Sequence, residues 1–268
     1  MRSKLRAIGE TIRNHRGLAA LFLAAAMLVI ALPVQADVTE AAEFDFELNA
    51  GGTLSVENIN GDITITAGPG RAVHVIATKK AGSQSYLDGM DIQISADEDR
   101  VSIRTQHPES SNRWFGRGDS SGSVTYEIIA PADVNLDSID TVNGEIEIAG
   151  ISGDVSADTT NGDIHLTGLT GNLEADTVNG SIDATFDKLG GSQRIIAETV
   201  NGRVQLRLPA DTSARIDVGT VNGGIDADDF GLEVDKGFLG RDLDGEIGGG
   251  DARIKVSTVN GSVKIRKS

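Results

Sequence analysis

Apolar and polar residues alternate with a period of two along much of the chain. Ile146 and Ile148 are separated and flanked by glutamates, and Ile164 and Leu166 flank His165. Such alternation is typical of short β-strands that bury one face and expose the other. Almost no position on the apolar side carries a charge, and little of the chain has a helical pattern. We therefore predict an all-β fold with a dry interior of Ile, Val, Leu and Ala side chains.

The strands recur with a period near 20 residues, and each repeat is marked by an Asn-Gly pair. From Asn143 onward the pairs are 18, 18, 22, 21 and 38 residues apart. The last interval predicts a degenerate or inserted unit around residues 226–250. Five of the pairs follow Thr-Val. The pairs, which we predict to be structural turns, are Asn60-Gly61, Asn143-Gly144, Asn161-Gly162, Asn179-Gly180, Asn201-Gly202, Asn222-Gly223 and Asn260-Gly261.

The Asn-Gly pairs are compatible with two architectures. In an antiparallel β-meander, each pair would form a hairpin turn, because both residues tolerate positive φ. In a β-solenoid, each pair would form a corner, and equivalent side chains would stack from coil to coil. Near-identical corner sequences favour a solenoid with coils of about 18–22 residues. One coil buries too little apolar surface to fold alone, so the coils must stack.

The chain has a simple predicted organisation. Residues 1–36 are predicted to be a signal peptide, with a basic start, an apolar stretch from Leu18 to Leu32, and small residues before Asp37. An uncleaved anchor is the alternative, but the apolar stretch is short for a membrane span. Residues 37–268 are predicted to form one β-solenoid-like domain. Residues 44–130 are less regular, and residues 131–268 hold the regular repeats.

The charge and the amino-acid usage restrict the function. The formal net charge is −16, and cysteine is absent. An acidic protein repels nucleic acid and anionic membrane surfaces, so we expect neither as a partner. Thiolate metal sites and cysteine nucleophiles are excluded. With the predicted export signal, this composition indicates a periplasmic or cell-surface protein of a bacterium, with an envelope protein or a surface component as its partner. The sequence does not specify an oligomeric state.

One segment departs from the acidic, aromatic-poor character of the chain. Arg113, Trp114, Phe115 and Arg117 place the sole tryptophan and a phenylalanine among cations. Tryptophan and arginine are enriched at the energetic centres of interfaces, so the segment is a candidate partner-binding loop. Alternatively, its aromatic rings pack against the flank or the end of the solenoid.

Two further functions have some support. Acidic residues cluster around the predicted insertion and could bind calcium, although neither cluster matches a known calcium loop; they are Asp226, Asp228, Asp229, Asp242 and Asp244. A calcium-stabilised surface adhesin is therefore one alternative, and no other cofactor is expected. A polysaccharide-active β-helix enzyme is the second. Because the carboxylates alternate outward along nearly every strand, we predict that the protein is not an enzyme.

The chain also resembles a known family. The segments Tyr126-Glu-Ile-Ile-Ala-Pro-Ala-Asp133 and Leu206-Arg-Leu-Pro-Ala-Asp211, with the repeated Val-Asn-Gly units, resemble the Toastrack, or putative adhesin, domain of exported bacterial proteins. The resemblance runs from Phe44 to the C-terminus. It implies a solenoid-like β-rich domain with a structural or interaction role in the envelope or in envelope-stress systems. It implies no catalytic residues.

Overall fold

A computed structural model describes residues 37–108, 121–236 and 240–268. Most of these residues lie in β-strands. The helices among these residues are α1 (Gln84–Gly89) and a 3-10 turn at Asp228–Phe230. The strands are β1 (Val38–Glu47), β2 (Thr53–Glu57), β3 (Ile63–Gly68), β4 (Ala72–Ala81), β5 (Asp91–Ala96), β6 (Arg100–Gln106), β7 (Gly122–Pro131), β8 (Asn135–Asn143), β9 (Ile146–Ala149), β10 (Val155–Asn161), β11 (Ile164–Leu169), β12 (Leu173–Asn179), β13 (Ile182–Phe186), β14 (Arg194–Asn201), β15 (Val204–Leu208), β16 (Ala214–Asn222), β17 (Ile225–Asp226), β18 (Asp235–Lys236), β19 (Arg241–Ile247), β20 (Ala252–Asn260) and β21 (Val263–Lys267).

The strands form two sheets that share the turns of a solenoid. The first sheet has the order β1-β4-β7-β3-β9-β11-β13-β15-β21-β17, and the second has the order β18-β19-β16-β20-β14-β12-β10-β8-β2-β6-β5. Strands on either side of an Asn-Gly pair belong to different sheets, and strands of successive repeats pair in parallel. The predicted β-solenoid is confirmed. The alternative antiparallel meander is wrong for the repeats, because the Asn-Gly pairs are corners of coils.

The core lies between the two sheets. Equivalent inward positions stack from coil to coil, as in the column of Ile146, Ile164, Ile182 and Val204, all of which are fully buried. Burial of each such side chain contributes roughly 1.5–3 kcal/mol. The period-two alternation of the sequence is therefore the alternation between this core and the outer faces of the sheets.

The coils near the C-terminus do not stack in chain order. The coil of β20 and β21 lies between the coil of β14 and β15 and the coil of β16 and β17. Residues 226–250, which we predicted to be a degenerate or inserted unit, include β18 and β19, and β19 pairs antiparallel to β16. The 38-residue interval therefore covers an excursion over the end of the solenoid. The chain then returns, and β20 and β21 insert between two earlier coils.

The N-terminal part has the same kind of interleaving. The coil of β2 and β3 lies between the coil of β6 and β7 and the coil of β8 and β9. At both places the crossover that skips a coil begins with Pro-Ala-Asp, at Pro131 and at Pro209. Each proline carbonyl accepts a backbone hydrogen bond three residues later, from Val134 and from Thr212 at 3.1 Å. The Pro-Ala-Asp motif thus marks the two crossovers.

Antiparallel strands cover the end of the solenoid that carries the N-terminal strands. β1 pairs with β4, β4 pairs with β7, and β5 pairs with β6. Leu87 of α1 is buried beside this region. Neither helix within the described ranges is long and apolar enough to span a bilayer.

Candidate functional site

The Asn-Gly corners form a ladder along one side of the solenoid. All seven corner asparagines take part, and each amide oxygen–nitrogen contact joins neighbouring coils at 2.7–2.9 Å. In each contact the Nδ2 of one asparagine donates to the Oδ1 of the next. In spatial order the ladder runs Asn60, Asn143, Asn161, Asn179, Asn201, Asn260 and Asn222. The predicted turn residues are therefore placed on one continuous line.

The corner glycines are explained by close approach of the coils. A Cβ atom on Gly180 would overlap the carbonyl oxygen of Gly162 in the next coil, and the same relation recurs along the ladder. That carbonyl also accepts a hydrogen bond from the buried Thr177 hydroxyl at 3.1 Å. Of the corner glycines, Gly61 has a positive φ. Positive φ, on which the hairpin alternative relied, is therefore not what selects glycine at most corners, and backbone contact between coils is the reason for glycine.

An exposed apolar ladder runs beside the asparagines. Its side chains are 40–54% exposed and occupy the position just before each corner asparagine. Its members are Ile59, Val142, Val178, Val200, Val259 and Val221. Thr160 takes the equivalent position in β10. Ile129 is the one other large apolar residue in the described ranges with comparable exposure.

A carboxylate ladder runs along the outer face of the second sheet, next to the apolar ladder. Its members are register partners in five consecutive coils, namely Glu57, Asp140, Asp158, Asp176 and Glu198. Register partners in neighbouring strands lie about 4.8 Å apart. The two ends of the ladder are neutralised: Arg104 pairs with Glu57 at 2.6 Å, and Lys255 pairs with Glu198 at 2.6 Å.

The middle of the carboxylate ladder is electrostatically unfavourable. Partial burial, followed by repulsion from Asp158, Glu198 and Glu174, raises the pKa of Asp176 to about 6, with Lys255 opposing the shift. Burial and the neighbouring carboxylates also raise the pKa of Asp158. Within the described ranges, neither aspartate has an ion-pair partner. The ladder therefore holds negative charges next to one another, and a cation bound beside them would be stabilised.

The opposite corner of the coils bears a polar groove of about 590 Å³. Asp154 Oδ1 on its wall accepts a hydrogen bond from the Asn172 side chain at 3.0 Å and another from the Asn172 backbone at 3.1 Å. Asn135 Oδ1 in turn accepts from the Asp154 backbone. This carboxylate is thus a structural acceptor between coils. Glu174, which lies on β12, also lines the groove.

The structure places the predicted calcium ligands in two groups, and Arg266 lies against the first of them. Asp226 forms an ion pair with Arg266, whose Nη1 lies 2.7 Å from Asp226 Oδ1, and that pairing lowers the pKa of Asp226. Asp228 and Asp229 belong to the 3-10 turn, whereas Asp242 and Asp244 lie on β19. Among the described residues, no group of three or more His, Asp or Glu side chains has the arrangement of a metal site. Calcium binding stays a prediction.

The predicted docking residues Arg113, Trp114, Phe115 and Arg117 lie outside the described residues, as does the predicted signal peptide. The sequence reasoning also missed a candidate surface. The carboxylate ladder has a signal in the sequence, because an acidic residue precedes the buried threonine in four consecutive units, as in Asp176-Thr177. Alternation along single strands shows only that these carboxylates face outward, and not that they stack in register.

Comparison with known proteins gives a family and a set of distant structural matches. A family model described as Toastrack DUF4097 matches residues 28–266, and no curated protein matches the chain. A putative cell adhesion protein from Clostridium sporogenes has 13% identity, covers 85% of this chain and 100% of its own, and gives a TM-score of 0.42. A putative adhesin from Bacteroides fragilis has 10% identity, corresponding coverages of 84% and 97%, and a TM-score of 0.33.

Proposed function

The chain belongs to the Toastrack DUF4097 family, and from this membership and its surface ladders we propose a non-enzymatic interaction module of the bacterial cell envelope. The observation that carries the proposal is the uninterrupted stacking of identical groups along one side of the solenoid over seven coils. Such stacking holds a long row of side chains in fixed register, and this arrangement suits contact with a macromolecule. Residues 37–268 form the module in this proposal.

The arrangement of carboxylates supports a non-catalytic role. General acid–base chemistry on a polysaccharide uses two carboxyl groups that face each other across the scissile bond. Here the acidic side chains stack in columns on the outer faces of the sheets. Of the three carboxylates that line the groove, Asp154 accepts two hydrogen bonds from Asn172, Asp137 forms an ion pair with Arg100 at 3.7 Å, and Glu174 is the third. We therefore place the activity of the protein in binding.

Export is the second part of the proposal. Residues 1–36 direct the chain out of the cytoplasm and are removed before Asp37, so the mature protein acts in the periplasm or on the cell surface. N-terminal sequencing of the protein recovered from fractionated cells tests this part. A mature N-terminus at Asp37 in an envelope fraction is expected. An intact Met1 in the cytoplasmic fraction would refute export.

The third part assigns Arg113, Trp114, Phe115 and Arg117 to contact with an envelope partner. In-cell crosslinking of the tagged protein, followed by mass spectrometry, should capture a defined envelope partner. The double variant Trp114→Ala/Phe115→Ala should reduce that capture, whereas Ile129→Ala, the truncation of an exposed apolar side chain elsewhere, should not. If no envelope partner is captured with the natural protein, the interaction function is wrong. If capture is indifferent to the double variant, the assignment of the segment is wrong.

A further inference from the structure

The carboxylate ladder and the apolar ladder are adjacent lanes of one surface. Asp176 and Val178 lie two residues apart on β12, and both point away from the core. The same spacing joins Asp140 to Val142 and Glu198 to Val200. Residues two apart on a strand are separated by about 7 Å. Each of the five coils from β2 to β14 therefore contributes one carboxylate and one apolar or threonine side chain to a two-lane surface.

The length of this surface suits an elongated ligand. The two ladders run side by side over five coils, and four intervals of about 4.8 Å give a length of about 19 Å. The apolar ladder continues over two more coils, to a length of about 29 Å. Its exposure, at 40–54% per side chain, is concentrated on this line. Contiguous exposed apolar residues that are rimmed by polar groups are a mark of interaction surfaces.

The charge of the surface selects the partner. The chain has no lysine or arginine between Ser121 and Asp187, so the coils that hold Asp140, Asp158 and Asp176 cannot supply a counter-charge of their own. A second copy that presented the same surface would bring carboxylates against carboxylates. An inorganic cation would satisfy the charge and leave the apolar ladder in water. A cationic ligand with an apolar side satisfies both lanes.

We propose that the two lanes together form a docking surface for a basic amphipathic segment of a partner protein. Its apolar side packs on Val142, Val178 and Val200, and its lysine or arginine side chains pair with Asp140, Asp158 and Asp176. This inference rests on the proposed function of the protein as an interaction module and supplies the chemistry of the partner. The asparagine ladder keeps both lanes in register, so the surface is formed before the partner arrives.

The test uses the purified chain and a synthetic Leu/Lys amphipathic peptide of about 18 residues, which spans about 27 Å as a helix. Fluorescence anisotropy measures the dissociation constant. Neutralising the acidic lane, with Asp140→Asn, Asp158→Asn and Asp176→Asn, should weaken binding about tenfold or more, and added salt should weaken binding to the natural protein.

The apolar lane is tested separately with Val142→Thr, Val178→Thr and Val200→Thr. Thr160 already occupies this position in β10, so threonine is compatible with the corner, and its β-branched side chain keeps the strand preference. These changes leave the charge intact and should weaken binding severalfold through lost apolar contact. A peptide with serine in place of leucine should bind equally weakly to the natural and the threonine-substituted proteins.

A matched control removes the same charge from the opposite sheet. Glu127→Gln, Glu147→Gln and Asp183→Asn occupy one outward column of the first sheet. They should change the dissociation constant by less than about twofold if the ligand docks on the second sheet. Equal loss with both sets of neutralised carboxylates would overturn the proposal, because it would indicate unspecific attraction. Insensitivity to the valine substitutions, or absence of binding, would also overturn it.

Crosslinking in cells separates failure of this surface from failure of the proposed function. An envelope partner that the natural protein captures, and that the acidic-lane and valine variants lose, would support the docking surface. The same partner captured equally by all variants would leave the interaction function intact and refute the surface. Absence of any envelope partner would refute the interaction function itself.

Discussion

Replacing Asp176 by asparagine should stabilise the protein at neutral pH. The folded state raises the pKa of this carboxyl to about 6, through burial first and then the neighbouring carboxylates, whereas an unfolded aspartate titrates near 3.9. A difference of about two pKa units corresponds to at most about 3 kcal/mol at pH 7. Because the site is only partly buried and is screened by salt, we expect about 1–2 kcal/mol, or roughly 2–8 °C in Tm.

The sign of this effect depends on pH. Between about pH 4 and pH 6, the folded state binds a proton at Asp176 that the unfolded state does not, so the contribution of this residue to the free energy of unfolding falls as the pH rises through that window. The advantage of Asp176→Asn should therefore be full near pH 7 and should shrink towards pH 4. Thermal unfolding of both proteins at several pH values measures it, with Glu147→Gln on the other sheet as the control. An unchanged or lowered Tm at pH 7, or an advantage that persists undiminished at pH 4, would refute the reasoning.

Three further changes test the packing of the coils. Gly180→Ala should destabilise the protein by about 3 kcal/mol or more, because the new methyl group overlaps the Gly162 carbonyl oxygen; urea unfolding measures this, and a loss below about 0.5 kcal/mol would contradict the close approach. Thr177→Val should cost about 1–3 kcal/mol, because the Gly162 carbonyl loses its hydroxyl donor; a stability equal to that of the natural protein would show that the hydrogen bond is dispensable. Val263→Asp places a charge at a fully buried position between two coils, and it should abolish cooperative unfolding, in contrast to Lys264→Asp on the outer face of the same strand.

The repeat and its burial pattern could be predicted from the sequence because both are local. Alternation along a strand fixes which residues face inward, and the near-identical corners fix the coil length. The order of the coils could not be predicted in the same way. Val263 has a coil on either side because β21 returns between two earlier coils, and that placement depends on pairings between distant segments. The repeated Pro-Ala-Asp was visible at Pro131 and Pro209, but its role as a crossover becomes apparent only once the neighbouring coils are known.

The carboxylate ladder shows why a residue-by-residue interpretation missed the candidate surface. An outward aspartate on a single strand indicates only a solvated face. The electrostatic repulsion between carboxylates becomes evident only when Asp158 and Asp176 are seen to stack in register. The chain compensates such charges at both ends of the ladder, with Arg104 and Lys255, so pairing is sterically available on this face. A lysine or arginine at a neighbouring outward position in the middle coils would relieve the repulsion there as well. The middle coils carry no such residue, and the adjacent apolar ladder stays exposed. Both observations are explained if one partner supplies the cation and the apolar contact together.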